Sequence, residues 1–435
     1  MASTVPVIQV LSRRNYEDQH MVSLPDALPL PALPPSSLRI KTSIISLTTN
    51  NLTYAKFGHL LGWWDIHLLP QSITVEYSDP QKFGRISGWG YGTVTDSTVP
   101  GVEVDTQLWG YLPIGTLPVD VEVQVDPKVS NQIVATSKHR QHVLPIYNRY
   151  LAYPPAKSAE EASKLQQSQA YDSLMQVLFE TSYLTNRFVF PSNPAELVHP
   201  TGSPDDGWNL EKGDIGPKTT VVLFSPSGKT ALSFAHQLKH ARPASKQPHS
   251  IIGVGSSSSK PFSENTGLFD KVLAYEADSG DLTMELNLLP DSKLVILDFG
   301  ARGNAPARWV AKLRPTYKEI VQIDLAGEVG PEPPEKVTEK FMAKRRGGDP
   351  SENAASFSTG SLVLNASGLR SQAMAILGEK RYFEEFLREW NGFKAQGGVK
   401  GLEFVWGSGM EDLKGGWEAL CRGEVGPNMG LLYKL

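Results

Sequence analysis

The sequence contains one cysteine, Cys421, among its 435 residues. A single thiol excludes a disulfide within the chain and any zinc site built from several cysteines. The sequence also lacks a run of about 18 apolar residues, which a typical transmembrane helix needs. Its first residues do not have the basic and then apolar order of a secretion signal. We therefore expect a cytosolic protein.

An excess of positive charge is also absent. The 42 lysines and arginines are outnumbered by 46 aspartates and glutamates, and the formal net charge is −4. This balance offers no basic surface for a nucleic acid backbone. Hydrophobic residues make up 40% of the chain, enough for a large core, and the length indicates two or three domains. We expect a globular protein that acts on a small molecule, without nucleic acid or membrane partners.

Glycine-punctuated β-strands dominate the first third of the chain. Residues 38–48 alternate apolar and polar side chains, residues 84–95 read GRISGWGYGTVT, and residues 119–125 alternate again. Such strands predict a compact, twisted and partly barrel-like β domain. The pattern becomes helical between residues 158 and 189, which indicates a passage into a second domain.

The main feature of the second half is the stretch TTVVLFSPSGKTALSFAHQLK at residues 219–239. Residues 221–224 predict a strand buried on both faces, and apolar residues at helical spacing follow directly. A short turn between strand and helix exposes N–H groups at the positive end of the helix dipole, where a phosphate can bind. The turn is poor in glycine, and an ordinary strand-to-helix junction is the alternative interpretation.

Further strands are predicted at residues 251–255, 271–275, 293–298 and 319–323, separated by segments long enough for helices. Repeated strand-and-helix units form a parallel sheet covered on both faces. A helix at residues 382–390 then precedes a strand at residues 402–406, a short helix near residues 417–421 and a last strand at residues 429–433.

The order of these elements resembles the medium-chain dehydrogenase/reductase superfamily, in particular its quinone and enoyl reductases. Residues 50–58 are similar to the quinone-reductase segment that begins with Asn and ends with Gly, residues 224–239 to the nucleotide turn and helix, and residues 423–433 to the closing strand. The nearest similarity is to a mainly fungal branch that often accompanies secondary metabolism.

The resemblance implies an α/β fold with two domains. A GroES-like, β-rich catalytic domain is expected at residues 1–160. A helical crossing and a Rossmann-type parallel-sheet domain for nucleotide binding are expected at residues 161–390. The C-terminal segment, residues 391–435, should return to the catalytic domain, and homodimers are common in the superfamily.

The resemblance also implies a nicotinamide cofactor whose pyrophosphate lies at the turn after residue 224. The residues expected to bind it there are Ser225, Ser227, Gly228, Lys229 and Thr230. After the next strand, where an acidic residue would select NAD, residues 255–260 read GSSSSK. Hydroxyl groups and a lysine suit a 2′-phosphate, so Ser256, Ser259 and Lys260 favour NADPH. A solvated serine-rich loop is the alternative interpretation.

Zinc ligands are missing from the predicted β domain. It contains no cysteine, and His59 and His67 have no third ligand nearby in the sequence. The alcohol dehydrogenases of the superfamily need thiolate and imidazole ligands. We therefore predict neither catalytic nor structural zinc.

A zinc-free reductase must stabilise a developing enolate and supply a proton. Tyr54, in the segment that resembles the family's acid-bearing loop, is the first candidate donor. Asn50 and Lys56 are candidates for polarising a carbonyl group. Tyr147, at the exit from the β domain, is a second candidate catalytic residue. The alternative for Tyr54 is a packed aromatic residue without a catalytic role.

Three functions remain open from the sequence. The first is an NADPH-dependent reductase of an activated alkene or carbonyl in a polyketide-like or quinone-like small molecule. The second is a redox-neutral enzyme, such as an isomerase, dehydratase or carbon–carbon lyase, on a degenerate dehydrogenase scaffold. The third is a non-catalytic binding protein, because a fold does not determine a function.

Overall fold

A computed structural model of the protein describes residues 5–203, 207–289, 292–328, 330, 332–345 and 361–435. The first part of the chain is mostly β-structure that ends in a long helix. In chain order its elements are β1 (Val7–Ser12), β2 (Gln19–Ser23), β3 (Ser37–Leu47), α1 (Thr49–Leu61), β4 (Phe83–Gly84), β5 (Ser87–Ser97), β6 (Gln107–Pro113), β7 (Val119–Val125), β8 (Gln132–Ala135), β9 (Arg149–Tyr153) and α2 (Ala159–Leu184).

The second part alternates strands and helices. Its elements are α3 (Leu210–Gly213), β10 (Thr219–Phe224), α4 (Lys229–His240), β11 (Ser250–Gly255), α5 (Lys260–Asn265), β12 (Lys271–Ala274), α6 (Leu282–Glu285), β13 (Lys293–Phe299), α7 (Ala305–Leu313), β14 (Ile320–Ala326), α8 (Pro334–Arg345), β15 (Leu362–Val363), α9 (Ala366–Leu377), α10 (Glu379–Ala395), β16 (Glu403–Ser408), α11 (Gly409–Cys421) and β17 (Met429–Lys434).

Eight strands form a mixed sheet in the order β16-β17-β3-β5-β6-β9-β8-β7. Six of them close into a barrel because residues 37–40 of β3 also pair with β7. A Cβ atom on Gly90 of β5 would come within 2.0 Å of the Ile44 carbonyl oxygen of β3, so this close approach requires glycine. The prediction of a barrel-like, glycine-rich β domain is confirmed.

The last two strands of the chain join the barrel sheet. β17 pairs antiparallel with residues 44–47 of β3 and parallel with β16. Between them, α11 is longer than the short helix predicted near Trp417. Met410, Leu413, Trp417 and Leu420 are buried at helical spacing, which explains why the helix extends back to residue 409.

The second sheet has six parallel strands in the order β12-β11-β10-β13-β14-β15. The chain winds outward from β10, first through β11 and β12 and then through the other three strands, which is the order of a Rossmann sheet. Val221 and Leu223 of β10 pack into the core on the side of α2 and α4, while Val222 and Phe224 pack on the opposite face against Trp309 of α7. The predicted α/β class, with a parallel-sheet domain, is confirmed.

α2 connects the barrel to the helices of the second part. The carboxylate of Asp172 accepts hydrogen bonds from Tyr91 of β5 at 2.7 Å, Trp390 of α10 at 2.8 Å and Lys394 of α10 at 2.6 Å. Because hydroxyl, indole and ammonium donors satisfy this buried carboxylate, α2 is fixed between the barrel and α10.

Candidate functional site

The turn after β10 has the sharp geometry of a nucleotide turn. Ser225 has a left-handed backbone conformation, with φ of 58°, which glycine adopts most readily. Its N–H group donates to the Val254 carbonyl oxygen at 2.9 Å, and its hydroxyl group lies 2.9 Å from the Tyr275 hydroxyl group. The Gly228 N–H group donates to the Ser225 carbonyl oxygen at 3.0 Å. A serine therefore occupies the conformation of the first fingerprint glycine.

α4 begins at Lys229, directly after this turn. Within the described residues no side chain caps its N-terminus, and its first turn contains no acidic residue. The ammonium group of Lys229 donates to the Met429 carbonyl oxygen at 3.1 Å. Desolvation lowers the pKa of Lys229 to about 8. The N–H groups at the start of α4, including that of Thr230, suit a negatively charged group, so these residues fit a cofactor phosphate.

The serine-rich turn after β11 lies beside the first turn, because β10 and β11 are adjacent and parallel. Ser256 Oγ lies 3.0 Å from Ser259 Oγ, and Ser259 is buried. The ammonium group of Lys260 pairs with the Glu264 carboxylate one turn further along α5. The structure thus brings the two groups of candidate cofactor residues to one edge of the sheet.

The ring of Pro226 lies between these two turns. Cβ atoms added to Gly253 and Gly255 would each come within 2.9 Å of it. Glycine at both positions of β11 therefore makes room for the proline ring.

A buried carboxylate at this edge was not predicted. Asp298 is the penultimate residue of β13, and its Oδ1 atom accepts hydrogen bonds from the N–H groups of Gly300 at 2.9 Å and Ala301 at 2.7 Å. Burial, together with Asp324, its pairing partner on β14, raises the pKa of Asp298 to about 6 against these hydrogen bonds. The sequence signal was an aspartate at the end of an apolar strand, before a glycine.

The candidate proton donor Tyr54 lies on α1 and is 2% exposed. Its phenolic oxygen accepts hydrogen bonds from Asn50 Nδ2 at 2.6 Å and from Trp89 Nε1 at 2.8 Å. The ring of Tyr147 packs edge-on against it, with ring centroids 5.8 Å apart. The structure brings together three of the four candidate catalytic residues and adds Trp89, which lies 35 residues from Tyr54 and carried no sequence signal.

Burial, against the effect of the hydrogen bonds, holds the Tyr54 phenol in its protonated form. Burial raises the pKa of Tyr54 to about 12, although hydrogen bonds from Trp89, Tyr147 and Asn50 lower it. Because the Asn50 and Trp89 donors approach the oxygen, the hydroxyl hydrogen is left to be donated elsewhere. The arrangement suits a proton donor.

Lys56 lies apart from this network. It follows Tyr54 by two residues, which places it about 200° around the helix. Its ammonium group pairs with Glu332 at 2.8 Å, and His59 lies 2.9 Å from the Thr338 hydroxyl group of α8. One face of α1 therefore carries the Tyr54 network, and another contacts α8 and the residues just before it.

Two buried arginines flank the aromatic residues of the barrel. Arg85, just before β5, is 2% exposed, and among the described residues its Nε and Nη2 atoms have no hydrogen-bond partner. Burial lowers the pKa of Arg85 to about 10. Arg140 instead donates to Asn148 Oδ1 at 2.7 Å and to the Tyr147 carbonyl oxygen at 2.5 Å, and so fixes the segment that carries Tyr147.

The described residues hold neither a cluster of metal ligands nor a membrane-spanning helix. They contain no group of three His, Cys, Asp or Glu side chains that could hold a metal ion. Nor do they contain a helix that is long and apolar enough to cross a membrane.

Several solved structures share this fold at low sequence identity. The Etr1p complex with NADP and crotonyl-CoA has a TM-score of 0.55 at 9% sequence identity and covers 100% of both chains. The complex of CurA from Vibrio vulnificus with NADPH has a TM-score of 0.51 at 12% identity, over 99% of this chain and 98% of that chain. The CurF ER cyclopropanase from the curacin A biosynthetic pathway has a TM-score of 0.53 at 13% identity, over 99% of both chains.

No curated protein matches the sequence. Residues 45–426 match the family DUF2855, described as a protein of unknown function. This span contains the six-stranded parallel sheet and most of the barrel. The chain therefore belongs to the DUF2855 family, and it shares its fold with the Etr1p, CurA and CurF structures.

Proposed function

We propose that the protein is a zinc-independent, NADPH-dependent reductase of an activated alkene or carbonyl group in a small polyketide-like or quinone-like molecule. The observation that carries the proposal is the buried Tyr54 hydroxyl group, whose oxygen accepts hydrogen bonds from Asn50 and Trp89 at 2.6 and 2.8 Å. A reductase without a metal needs such a proton donor beside the acceptor group.

The proteins that share the fold support this type of reaction. Etr1p was solved with NADP and crotonyl-CoA, CurA with NADPH, and CurF belongs to the curacin A biosynthetic pathway. Identities of 9–13% carry the fold and no residue assignments. The substrate class of this chain therefore rests on its own residues.

Different residues of the chain would have different roles in the reaction. A nicotinamide held at the turn after β10 would supply the hydride for the acceptor carbon. Tyr54 Oη donates its proton to the atom on which negative charge develops, and the Asn50 and Trp89 donors stabilise the phenolate that remains. Tyr147 packs beside Tyr54 and keeps water from its hydroxyl group. Lys56, paired with Glu332, helps to position α1.

The cofactor phosphates would lie at the N-terminus of α4. The residues that would hold the pyrophosphate are Ser225, Ser227, Gly228, Lys229 and Thr230. Ser256, Ser259 and Lys260 would receive the 2′-phosphate of NADPH, with Lys260 exchanging the Glu264 carboxylate for a phosphate oxygen.

A redox-neutral reaction on this scaffold is the second candidate. It is favoured by Ser225 in place of the first glycine, at φ of 58°, and by the Pro226 ring beside the turn. The description of CurF as a cyclopropanase points in the same direction. An isomerase, dehydratase or carbon–carbon lyase would use Tyr54 as a proton donor without net reduction. A non-catalytic binding protein is the remaining alternative.

The proposal also covers the domain boundaries, the oligomeric state, the location and the origin of the protein. We place the domain boundaries near residues 160 and 390, and assign residues 391–435 to the catalytic domain. We further propose a cytosolic homodimer that acts in secondary metabolism and belongs to a mainly fungal branch of the superfamily.

Titration with NADPH and NADH tests the cofactor assignment. Energy transfer from the protein's tryptophans to the bound nicotinamide reports binding directly. We expect micromolar affinity for NADPH and affinity at least about tenfold weaker for NADH. Absence of NADPH binding would rule out the reductase and leave the redox-neutral enzyme and the binding protein.

A further inference from the structure

The segment between β14 and β15 of the parallel sheet reaches across to α1 of the barrel part. Lys56 Nζ of α1 lies 2.8 Å from Glu332 Oε2, and His59 Nε2 of α1 lies 2.9 Å from the Thr338 Oγ1 atom of α8. α1 follows β3 of the barrel and carries Tyr54, whereas α8 precedes β15 at the edge of the parallel sheet. The helix with the proposed proton donor is therefore held by the part of the chain that would bind the cofactor.

Two ion pairs at this contact differ in their exposure to water. The side chains of Lys56 and Glu332 are 8% and 28% exposed. Those of Arg14, which follows β1, and Glu335 of α8 are 84% and 71% exposed, and their charged atoms lie 3.7 Å apart. Because water and salt screen exposed charges but reach the inner pair much less, the Lys56–Glu332 pair is the stronger link.

α1 is fixed to the barrel on its other face. Asn51 Nδ2 donates to the Ser87 carbonyl oxygen at 3.3 Å, and Trp89 Nε1 donates to Tyr54 Oη at 2.8 Å. Lys56 follows Tyr54 by two residues and points about 200° away around the helix. Because α1 and the barrel are packed as one unit, a contact on the Lys56 face sets how this unit lies against the parallel sheet.

We infer that Lys56 and Glu332 are positioning residues, whose ion pair sets the distance between the Tyr54 hydroxyl group and a nicotinamide held at the turn after β10. The inference rests on the proposed function. Hydride and proton must reach atoms of one substrate, and a displacement of about 1 Å costs about 100-fold in rate. Lys56 acts through Glu332 and does not touch the substrate, unlike the carbonyl-polarising role expected from the sequence.

Charge reversal tests the inference in the full chain with Lys56→Glu, Glu332→Lys and the double variant. Each single variant sets like charges opposite each other, whereas the double variant restores an ion pair with its signs exchanged. For a substrate that the wild type reduces, we expect kcat to fall at least about tenfold in each single variant and to recover to within about threefold in the double variant. Glu335→Lys reverses a charge of the exposed pair and is the matched control, with kcat within about twofold of the wild type.

NADPH titration and urea unfolding accompany the kinetics. The affinity for NADPH should stay within about twofold in all variants, because their cofactor residues are unchanged. An unchanged kcat in folded single variants would overturn the inference and leave the reductase proposal intact. A loss in Lys56→Glu that the double variant does not recover would mean that Lys56 touches the substrate, and would overturn the inference as well.

A distance measurement separates a failure of the inference from a failure of the proposed function. Spin labels at Thr49→Cys of α1 and Ala311→Cys of α7, both exposed positions, report the distance between the two parts in a Cys421→Ser background. We expect Glu332→Lys to shift this distance by at least about 2 Å and the added Lys56→Glu exchange to restore it. An unchanged distance in Glu332→Lys would overturn the inference whether or not the wild type reduces a substrate. A shifted and restored distance in a protein without turnover would support the ion-pair link and count against the reductase alone.

Discussion

The Nδ2 atom of Asn50 lies 2.6 Å from the phenolic oxygen of Tyr54, one helical turn further along α1. Residues four apart share one face of a helix, so local geometry alone creates this pair. Trp89 of β5 adds the second donor at 2.8 Å, which ties the helix to the barrel wall. The pair is therefore both a structural contact and the basis of the proposed chemistry.

Replacing Tyr54 by phenylalanine tests the proton donor. Tyr54→Phe removes the hydroxyl group and keeps the packed ring, so we expect turnover to fall at least about 100-fold. NADPH affinity should not change, because none of the candidate cofactor residues contacts Tyr54. Steady-state kinetics and NADPH titration measure the two effects. Tyr77→Phe, outside this network, is the matched control, and full activity of Tyr54→Phe would remove the assignment.

Two substitutions at Ser225 test the strained turn. Ser225→Gly and Ser225→Ala both lose the contact with the Tyr275 hydroxyl group, but only alanine keeps a Cβ atom at φ of 58°. We expect the glycine variant to be more stable than the alanine variant by about 1 kcal/mol. Urea unfolding of both proteins gives this difference. An alanine variant of equal or greater stability would contradict the strained geometry.

Asp298 predicts a pH dependence of stability. Its pKa of about 6 in the folded protein exceeds its ordinary value of 3.8, so the folded state binds the proton more tightly. Its contribution is fully present below about pH 4 and is lost as the pH rises through about 6. In Asp298→Asn an oxygen still accepts from Gly300 and Ala301, but the titration is gone.

The measurement is urea unfolding of wild type and Asp298→Asn between pH 4 and pH 7. The free energy of unfolding of the wild type, relative to the variant, should fall by about 2–3 kcal/mol over this range. Other titrating groups cancel in the difference. A difference that stays constant with pH would show that Asp298 has an ordinary pKa.

The two buried arginines should respond in opposite ways. Arg85→Met removes a buried charge whose Nε and Nη2 atoms have no partner within the described residues, so stability should be unchanged or rise by about 1–3 kcal/mol. Arg140→Met breaks hydrogen bonds to Asn148 and to the Tyr147 carbonyl group, and should lower stability by at least about 2 kcal/mol. Thermal and urea unfolding compare the variants, and equal destabilisation by both would contradict the expectation.

Local sequence patterns were sufficient to predict the strands and the helix that form the candidate cofactor site. Apolar runs predicted β10 and β11, and helical spacing predicted α4. These features depend on neighbours along the chain, so the residue pattern carries them.

Contacts between segments that are distant in the sequence could not be predicted from such local patterns. The Trp89 contact with Tyr54 and the pairing of Asp298 with Asp324 depend on strand order and register, which the sequence pattern does not specify. The pairing of Lys56, the predicted carbonyl-polarising residue, with Glu332 is also a contact between distant segments. The small sheet of β2, β1 and β4 was also not predicted, and its β4 strand pairs with β1 across more than 70 residues.

Transfer of deuterium from cofactor to product tests the proposed reaction most directly. The protein is incubated with NADPH that carries deuterium on the transferring face of the nicotinamide and with a panel of enones, enoyl thioesters and quinones. We expect mass spectrometry to find a reduced product with one deuterium at the acceptor carbon and one solvent proton, and Tyr54→Phe to abolish its formation. No reduced product from any of these substrates, with NADPH shown to be bound, would contradict the reductase.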